Sequence, residues 1–211
     1  MNTNKIDSLW EQGLAKLNCK ASDKQRHQLK QYVSLLHCWN KTYNLTAIRD
    51  PQQMIPLHIF DSLAVAPYIE GESCLDVGSG GGLPGIPLAI MQPKRKFTLL
   101  DTNGKKTRFI QQAGIELGLK NIAIVHDRVE KWSSGSKFDT IISRAFASIY
   151  DFIHHSSHHL SKKGQMLAMK GQFPQDEINA LPNEFIVEYS KTLLIPEVSA
   201  SRCLIKIISK T

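Results

Sequence analysis

The sequence has few of the features that would place a chain in a membrane, outside the cell or around a metal. Its longest apolar runs, such as residues 86–91, fall far short of the ~20 residues that a membrane-spanning helix needs. Only four cysteines occur, none of them in a Cys-x-x-Cys pair, which argues against zinc ribbons and thioredoxin-like redox motifs. No apolar signal-peptide core follows Met1. We therefore expect a soluble cytoplasmic protein with reduced thiols and no bound metal.

Internal repeats and low-complexity segments are also missing. The length of 211 residues fits one ordinary domain, or one domain with a small appendage. With 42% hydrophobic and 21% charged residues, the chain can bury a packed core, which excludes wholesale disorder. Lys and Arg outnumber Asp and Glu by 26 to 19, a net charge of +7. A basic balance of this size is compatible with a polyanionic partner but does not require one.

The residue pattern changes near residue 70. Before it, apolar residues recur at helical spacing. Residues 22–25 read Ser-Asp-Lys-Gln, a capping box that should begin the second helix. Asp50 and Pro51 open a third helical stretch, and the polar segment 40–44 is predicted to be a turn. We predict that residues 1–69 form a small helical cap without strands.

After residue 70, short apolar runs alternate with helical segments, so residues 70–211 should form a mostly parallel sheet covered on both faces. The last two strands lack a long intervening helix, so one of them should be antiparallel. Strands are predicted at 73–77, 97–100, 122–125, 140–143, 165–169, 185–189 and 203–208. Helices are predicted at 86–90, 105–117, 149–160 and 175–181.

The most informative segment is the glycine-rich turn that follows the first predicted strand. It reads Leu75-Asp76-Val77-Gly78-Ser79-Gly80-Gly81-Gly82-Leu83-Pro84-Gly85 and leads into a helix. Glycines at four of the five positions 78–82 leave almost no side chain between the backbone and a ligand above the turn. Ligands of parallel α/β sheets bind in the crevice beyond such strand ends. The turn is therefore a candidate cofactor site.

Three interpretations of this turn remain open. Residues 80–85, with Asp101 as a ribose acceptor, formally match a dinucleotide fingerprint, but the Asp76 carboxylate would repel a pyrophosphate. The pattern Asp-x-Gly-x-Gly-x-Gly at 76–82 suits S-adenosylmethionine, because Asp76 would attract its ammonium group while Asp101 accepts its ribose hydroxyls. A tight turn without a ligand is the third. We favour S-adenosylmethionine, with contacts from Asp76, Gly78, Gly80 and Asp101.

Two further strand ends should face the same crevice. Val129 follows the third strand, where we expect it to flank the adenine ring. Arg144 follows the fourth strand and should point into the crevice, where it can meet the cofactor, a substrate phosphate or opposing acids. The alternative for Arg144 is a plain surface salt bridge.

Several segments together carry a family resemblance. They are Trp39-Asn40-Lys41-x-Tyr43-Asn44-Leu45-Thr46, His58-x-x-Asp61-Ser62, Asp76–Ile90, Ser143-Arg144-Ala145-Phe146 and Lys170-Gly171-Gln172. With them, from about residue 25 to 208, the chain resembles the RsmG (GidB) family. The resemblance implies a bacterial methyltransferase that uses S-adenosylmethionine to modify N7 of the guanine numbered 527 in 16S rRNA, in the 30S ribosomal subunit.

The resemblance also implies a fold and a set of cofactor contacts. The fold is that of class I S-adenosylmethionine-dependent methyltransferases, a Rossmann-like, mostly parallel seven-stranded sheet with helices on both faces, here preceded by the helical cap. The contacts carried over are Gly78, Leu83, Val129, Glu130 and Arg144, of which Leu83 and Glu130 rest on the resemblance alone. We expect the enzyme to be a monomer.

Methylation of guanine N7 places small demands on catalytic residues. N7 carries a free lone pair and attacks the sulfonium methyl without losing a proton, so no general base is expected. Alignment and electrostatics remain the useful levers. Consistently, the fourth strand ends in Ser143-Arg144-Ala145-Phe146 and not in the Asn/Asp-Pro-Pro-Tyr of exocyclic amine methyltransferases. Arg144 and Lys170 are the catalytic candidates.

RNA contacts are expected from cations and aromatic rings near predicted loops and strand ends. Trp39, Tyr43 or Phe146 could stack on an extruded base, although Trp39 also continues the apolar face of its helix. His58 and Asp61 are expected to pair across one helical turn and to orient the cap. The cationic candidates are Lys41, Arg49, Arg144, Lys170 and Arg202.

Two rival functions and one further motif remain. The same fold could serve a small-molecule or protein methyltransferase, or a non-catalytic RNA-binding factor that kept the pocket.

The histidines at 154, 155, 158 and 159 have helical metal-ligand spacing. Since no acid stands among them, we interpret the segment as a surface helix without a metal.

Overall fold

The amino-terminal quarter of the chain is helical, as predicted. The structure, a computed structural model, describes residues 3–210, and between residues 3 and 69 it contains no strand. Two long helices are followed by a third helical stretch that passes through a π-helical turn. Their bounds are α1 (Thr3–Lys16), α2 (Asp23–Tyr43), α3 (Pro51–Met54), the π turn (Ile55–Phe60), α4 (Asp61–Leu63) and a 3-10 turn (Ala66–Tyr68).

Local sequence signals set most of these helix ends. Both bonds of the predicted capping box at Ser22 are present, and Asp50 caps α3 with proline in its first turn. The predicted turn at 40–44 is wrong, because α2 continues to Tyr43 and ends only at Asn44, which has φ of 51°. The buried side chain of Asn40 does not compete with the helix backbone, because it accepts from the N–H of Thr46 and donates to the Ile48 carbonyl, both in the segment after the helix.

The rest of the chain forms one seven-stranded sheet in the order β3-β2-β1-β4-β5-β7-β6. Neighbouring strands are parallel except that β7 is antiparallel to both β5 and β6, which confirms the predicted single reversal. The strands are β1 (Ser73–Val77), β2 (Lys96–Asp101), β3 (Ile122–His126), β4 (Phe138–Ser143), β5 (Leu160–Lys170), β6 (Phe185–Thr192) and β7 (Cys203–Ser209). The helices between them are α5 (Gly85–Met91), α6 (Gly104–Glu116), α7 (Ile149–Ser156) and α8 (Gln175–Asn179).

One boundary differs from the prediction by several residues. Helix α7 ends at Ser156 rather than 160, and β5 begins at Leu160 rather than 165. The residues between Leu160 and Gly164 are polar and mostly outside the core, so they show no apolar alternation. Leu160 nevertheless pairs with Phe138, across an irregularity in the ladder. A strand whose polar first residues are extended by backbone pairing leaves little trace in hydrophobic periodicity.

Apolar side chains cover both faces of the sheet. One face packs against α7 and includes Leu75, Ile141 and Met166. The other packs in a single cluster with α5, α6 and the amino-terminal helices, so that Tyr32 and Phe109 belong to one core. This shared core brings α2 directly beneath the glycine-rich turn. The domain boundary near residue 70 stays a prediction.

Candidate functional site

A first cavity lies at the carboxyl ends of β1 to β4. It has a volume of about 390 Å³, within the range of about 300–1,000 Å³ typical of small-molecule sites. Its walls combine apolar side chains with two carboxylates, and each of the four strand ends contributes to them. The lining residues are Val77, Gly78, Leu100, Asp101, Thr102, Lys106, Val129, Glu130, Ala145, Phe146 and His155.

The glycine-rich turn borders this cavity through Gly78. Gly78, Gly80 and Gly82 all have positive φ, of 71°, 59° and 89°. A side chain on Gly78 would place its Cβ 2.6 Å from the Cβ of Ala145, whereas a Cβ on Gly80 would meet only the Gly78 carbonyl oxygen, at 4.0 Å. The turn therefore needs glycine at position 78 both for its backbone conformation and for the close approach of the chain after β4.

Asp101 holds the turn from the end of β2. Its Oδ2 accepts the N–H of Gly80 at 2.8 Å, and its Oδ1 accepts the N–H of Asn103 at 2.8 Å. The carboxylate is buried and lines the first cavity. Asp101 thus fixes the turn and lines the cavity, and its ribose contact stays a prediction.

Asp76 lies beneath the turn and not on the wall of the first cavity. Its side chain is completely buried, and Oδ2 accepts the N–H of Gly85 at 2.8 Å. Oδ1 has no hydrogen-bond partner. Burial raises the pKa of Asp76 to about 7, although the Gly85 N–H and the charge of Arg144 act in the opposite direction. A buried carboxylate with a free acceptor oxygen is suited to a nearby positive charge.

The turn has a support that the sequence did not reveal. The hydroxyl of Tyr32, on α2, donates to the carbonyl of Gly81 at 2.6 Å, and Tyr32 is fully buried. The Cβ position of Gly81 lies only 3.1 Å from Leu36 on the same helix. Tyr32 follows the apolar spacing of α2, but nothing local indicates that its hydroxyl meets a carbonyl 49 residues away.

Replacing Tyr32 with phenylalanine is expected to loosen the turn. The Gly81 carbonyl would lose its buried donor, at a cost of about 1–3 kcal/mol shared between folding and ligand binding. We expect a lower melting temperature and several-fold weaker binding of S-adenosylmethionine by calorimetry. Tyr150→Phe, at an exposed tyrosine on α7, is the matched control. Wild-type affinity in Tyr32→Phe would show that the turn does not depend on this bond.

A second cavity, of about 420 Å³, lies beside the first at the ends of β4, β5 and β7. Here Asp61 bridges two arginines, because Oδ2 accepts from Arg144 at 2.8 Å and Oδ1 from Arg202 at 2.9 Å. None of its lining residues lines the first cavity. They are Ile48, Leu57, His58, Asp61, Arg144, Met169, Lys170, Gly171, Leu193, Arg202 and Cys203.

The predicted RNA-contacting cations are placed in different ways. Lys41 is exposed, with no hydrogen bond among the described residues. Arg49 is exposed but donates to the Asn40 carbonyl and to Asn44 Oδ1, so it closes the end of α2. Only Arg144, Lys170 and Arg202 come together in the second cavity.

Lys170 is less available than a surface cation. Its ammonium donates to the Ala147 carbonyl at 2.9 Å and pairs with Glu177 at 2.8 Å. Its side chain is 13% exposed. Lys170 therefore holds the segment after β4 in place, and its charge is balanced by Glu177.

Similarity to known proteins identifies the family. A family model described as rRNA small subunit methyltransferase G (GidB) matches residues 25–205. The ribosomal RNA small subunit methyltransferase G of Psychromonas ingrahamii is 50% identical over 188 residues, which cover 89% of this chain and 91% of that protein. The Escherichia coli protein of the same name is 48% identical over 204 residues, 97% of both chains. The chain belongs to the rRNA small subunit methyltransferase G family. This confirms the family resemblance of its motifs.

Solved structures confirm the fold of this family member. The protein given as "M. capricolum TrmK", in complex with S-adenosyl-homocysteine, superposes with a TM-score of 0.58 at 17% identity, over 72% of this chain and 69% of that one. A S-adenosylmethionine-dependent methyltransferase from Thiobacillus denitrificans gives 0.56 at 12% identity, over 83% and 98%. The chain has the predicted class I methyltransferase fold.

S-adenosylmethionine is the cofactor of this methyltransferase, and the first cavity fits it. Val129 and Phe146 would offer apolar surface to its adenine, and Asp101 and Glu130 would offer acceptors to its ribose. Asp76, beneath the turn, would favour its positive charge through the unpartnered Oδ1. When bound, this cofactor supplies an electrophilic methyl group on a sulfonium.

The structure separates the predicted cofactor contacts of the methyltransferase into two groups. Gly78, Asp101, Val129 and Glu130 line the first cavity. The other four predicted contacts do not line it. The Gly80 N–H is bound to Asp101, and Asp76 accepts the Gly85 N–H. Leu83 is packed in the core, and Arg144 faces Asp61. The cavity also includes Thr102, Lys106 and His155, which the sequence analysis missed. Only Thr102, next to a predicted strand end, carried a usable signal.

Two predictions about histidines are wrong. His58 does not pair with Asp61, since its Nε2 lies 2.9 Å from Thr46 Oγ1 and Asp61 is taken by the two arginines. His159 is not on the surface, since it is 2% exposed and its Nε2 lies 3.0 Å from the Val129 carbonyl. Residues 3–210 contain no cluster of His, Cys, Asp and Glu suited to a metal.

Two other properties of the described chain agree with its composition. Its four cysteines are free thiols, with Cys74 buried in β1. From residue 3 to residue 210, every helix is too short or too polar to cross a bilayer.

The raised pKa of Asp76 predicts a pH dependence of cofactor binding. Because its pKa in the native protein is about 7, well above the ordinary 3.8, the carboxyl is mostly protonated at pH 6 and ionised at pH 8. The cofactor carries a net positive charge and favours the ionised form, so affinity should rise about tenfold from pH 6 to pH 8. Calorimetry across this range measures it.

The raised pKa of Asp76 also makes the free energy of unfolding depend on pH. The native protein binds the Asp76 proton more tightly than the unfolded chain, so the contribution of Asp76 to stability is present below pH 3.8 and is lost as the pH rises through about 7.

Asp76→Asn should remove the dependence of cofactor affinity on pH between 6 and 8. An equal slope in that variant would assign the titration to another group.

Proposed function

We propose that the chain transfers a methyl group from S-adenosylmethionine to N7 of guanine 527 in 16S rRNA of the 30S subunit. The observation that carries this proposal is the adjacency of the two cavities. Arg144 lines the second cavity, and the next two residues, Ala145 and Phe146, line the first. A base entering from the cationic second cavity would reach the methyl donor across this segment. On this proposal the enzyme acts as a monomer in the cytoplasm, where ribosomal subunits are found.

The groups beside the second cavity suit a target atom that need not lose a proton before it attacks. His58 is hydrogen bonded to Thr46, and burial lowers its pKa to about 4. Both oxygens of Asp61 are occupied by arginines. A target amine or hydroxyl would require a base to take its proton, whereas N7 attacks directly with its lone pair. This supports in-line attack on the methyl carbon, with the chain supplying alignment.

Arg144 and Lys170, the catalytic candidates, then act by positioning. Lys170 donates to the carbonyls of Phe146 and Ala147, and Arg144 is anchored on Asp61. Together they fix the segment 144–147 that separates the two cavities. Positive charge leaves the sulfonium and appears on the purine during transfer, so pairing these cations with Asp61 and Glu177 limits their repulsion of the product.

The surface near the end of α2 offers further contacts for RNA. Lys41 is exposed, and Tyr43 is 41% exposed with its ring 5.2 Å from that of Trp39. Trp39 packs in turn on Phe109, at 5.6 Å. We propose that Lys41 and Arg49 meet phosphates and that Tyr43 stacks on a base, with Trp39 as its support.

Methylation with labelled S-adenosylmethionine tests the function. Purified 30S subunits, protein-free 16S rRNA and a cell lysate would be offered separately, and the labelled species identified. Borohydride reduction followed by aniline cleaves RNA at 7-methylguanine, because the methylated imidazole ring is positively charged, and primer extension then locates the cleavage. We expect label in small-subunit rRNA with a single cleavage at guanine 527. Label in protein or a metabolite, or no label at all, would favour the rival functions.

A further inference from the structure

The second cavity contains an arrangement that exceeds what packing requires. Asp61 is 5% exposed in its side chain, and each of its two oxygens binds a different arginine. Arg144 comes from the end of β4 and Arg202 from the start of β7, 83 and 141 residues from Asp61 along the chain. Three distant segments therefore converge on one buried carboxylate.

Most of the donors of these arginines are unused. A guanidinium has five N–H groups. Among the described residues, Arg144 gives one hydrogen bond, to Asp61, and Arg202 gives one to Asp61 and one to the Ser201 carbonyl. The two side chains are 27% and 26% exposed and line the cavity. The remaining N–H groups are available to a molecule that enters it.

The charges of the cavity do not cancel. Asp61 neutralises one of the two arginines, Lys170 is neutralised by Glu177, and His58 is uncharged near neutral pH because burial lowers its pKa to about 4. One net positive charge remains. Since a buried ion pair is a weak source of stability and a second arginine on the same acid adds to the imbalance, folding alone does not account for the arrangement.

We propose that Arg144 and Arg202 together bind one phosphodiester group of the RNA, with Asp61 as the positioning residue that holds both guanidinium groups towards the second cavity. The inference rests on the proposed function and adds how the substrate is gripped. Paired guanidinium groups match phosphate oxygens in bidentate geometry, and prior fixation by a carboxylate reduces the entropy lost on binding.

The anion is assigned to the RNA and not to the cofactor for a structural reason. No residue lining the second cavity lines the first, and the glycine-rich turn reaches the first through Gly78. A phosphate in the second cavity would lie next to segment 144–146, so it would belong to the target nucleotide or a neighbour. The other source of an anion, the carboxylate of the cofactor, becomes an outcome of the test.

The first experiment uses Arg202→Gln. KM for 30S subunits is measured against salt concentration, and the Kd of S-adenosylmethionine is measured by calorimetry. We expect KM to rise about tenfold or more, since a charge-assisted contact is lost. The slope of log KM against log salt should fall by about one, because one phosphate contact disappears. Cofactor Kd should stay within about twofold of wild type, since no cofactor contact is lost. Arg26→Gln, at an exposed arginine of α2 paired with Asp23, is the control and should change neither quantity.

The second experiment uses Asp61→Asn, which distinguishes positioning from charge. Removing an acid beside an RNA site would strengthen binding if only net charge mattered. If Asp61 positions the arginines, KM for 30S subunits should rise in spite of the added positive charge, while cofactor Kd and the melting temperature report whether the fold is intact. Arg202→Lys gives a third variant, which should restore the salt slope but only part of the affinity.

The possible failures are distinguishable. If wild-type protein methylates no rRNA, the proposed function fails, and filter binding of a 16S rRNA fragment without cofactor still tests the arginine pair. If wild type methylates 30S subunits and Arg202→Gln keeps wild-type KM and salt slope, the phosphate site is refuted. A weakened cofactor Kd with unchanged KM for 30S in Arg202→Gln would assign the anion to the cofactor and also refute it. Tighter RNA binding by Asp61→Asn would refute the positioning role.

Discussion

Replacing Gly78 with alanine is expected to weaken the binding of S-adenosylmethionine at least tenfold. The residue has φ of 71°, and its new Cβ would lie 2.6 Å from the Cβ of Ala145. A left-handed non-glycine residue costs about 1–2 kcal/mol, and forced overpacking costs about 1–3 kcal/mol more. Gly78 and Ala145 both line the first cavity, so relieving the clash must change the shape of the cavity. We expect Kd to rise by at least tenfold, about 1.4 kcal/mol, in calorimetry.

A matched variant separates the clash from the backbone strain. Gly118, in the turn after α6, has a similar φ of 64° with nothing within 4 Å of its Cβ position. Gly118→Ala should therefore lower stability by about 1 kcal/mol in urea unfolding and leave cofactor affinity unchanged. If Gly78→Ala binds the cofactor as Gly118→Ala does, the close approach of Ala145 has no part in shaping the site.

Replacing Asp101 with alanine is expected to weaken cofactor binding about 100-fold, or about 3 kcal/mol. The N–H groups of Gly80 and Asn103 would both lose their acceptor; both hydrogen bonds are partly buried, so each loss costs up to about 1–3 kcal/mol. The variant also removes the carboxylate proposed for the ribose. Calorimetric titration with S-adenosylmethionine and with S-adenosylhomocysteine measures the loss, which should be similar for the two because they share the ribose.

Asp127→Ala provides the control for this effect. Asp127 follows β3, only three residues from Glu130, but it is not part of the wall of the first cavity. Its carboxylate accepts only the neighbouring N–H of Arg128 among the described residues. We expect wild-type affinity in this variant. A loss equal to that of Asp101→Ala would mean that negative charge near the cavity, and not the contacts of Asp101, governs binding.

Much of the first cavity was predictable because its residues follow strand ends. Gly78, Asp101, Val129 and Glu130 all line it, the last of them expected from the family resemblance. Parallel strands bring their carboxyl ends to one edge of a sheet, so locating the strands by their apolar runs also locates the residues beyond them. The same local logic gave the capping box at Ser22.

Where the sequence misled, the cause was an interaction that local spacing does not report. For Lys170, a candidate RNA contact at a strand end, the sequence did not indicate that Glu177 and the Ala147 carbonyl bind its ammonium. His159 was expected on the surface of a helix that in fact ends before it, and the ring is buried against Trp132. Both outcomes depend on neighbours supplied by other segments.

The sequence by itself determined the alternation of strands and helices, the reversal of one of the last two strands and the glycine-rich turn, because periodicity, capping residues and glycine conformations act over a few residues. Only the tertiary structure decided that Tyr32 supports the turn at Gly81 and that Asp61 joins Arg144 to Arg202. These contacts link segments 49 to 141 residues apart, and their geometry exists only once the helices have packed on the sheet.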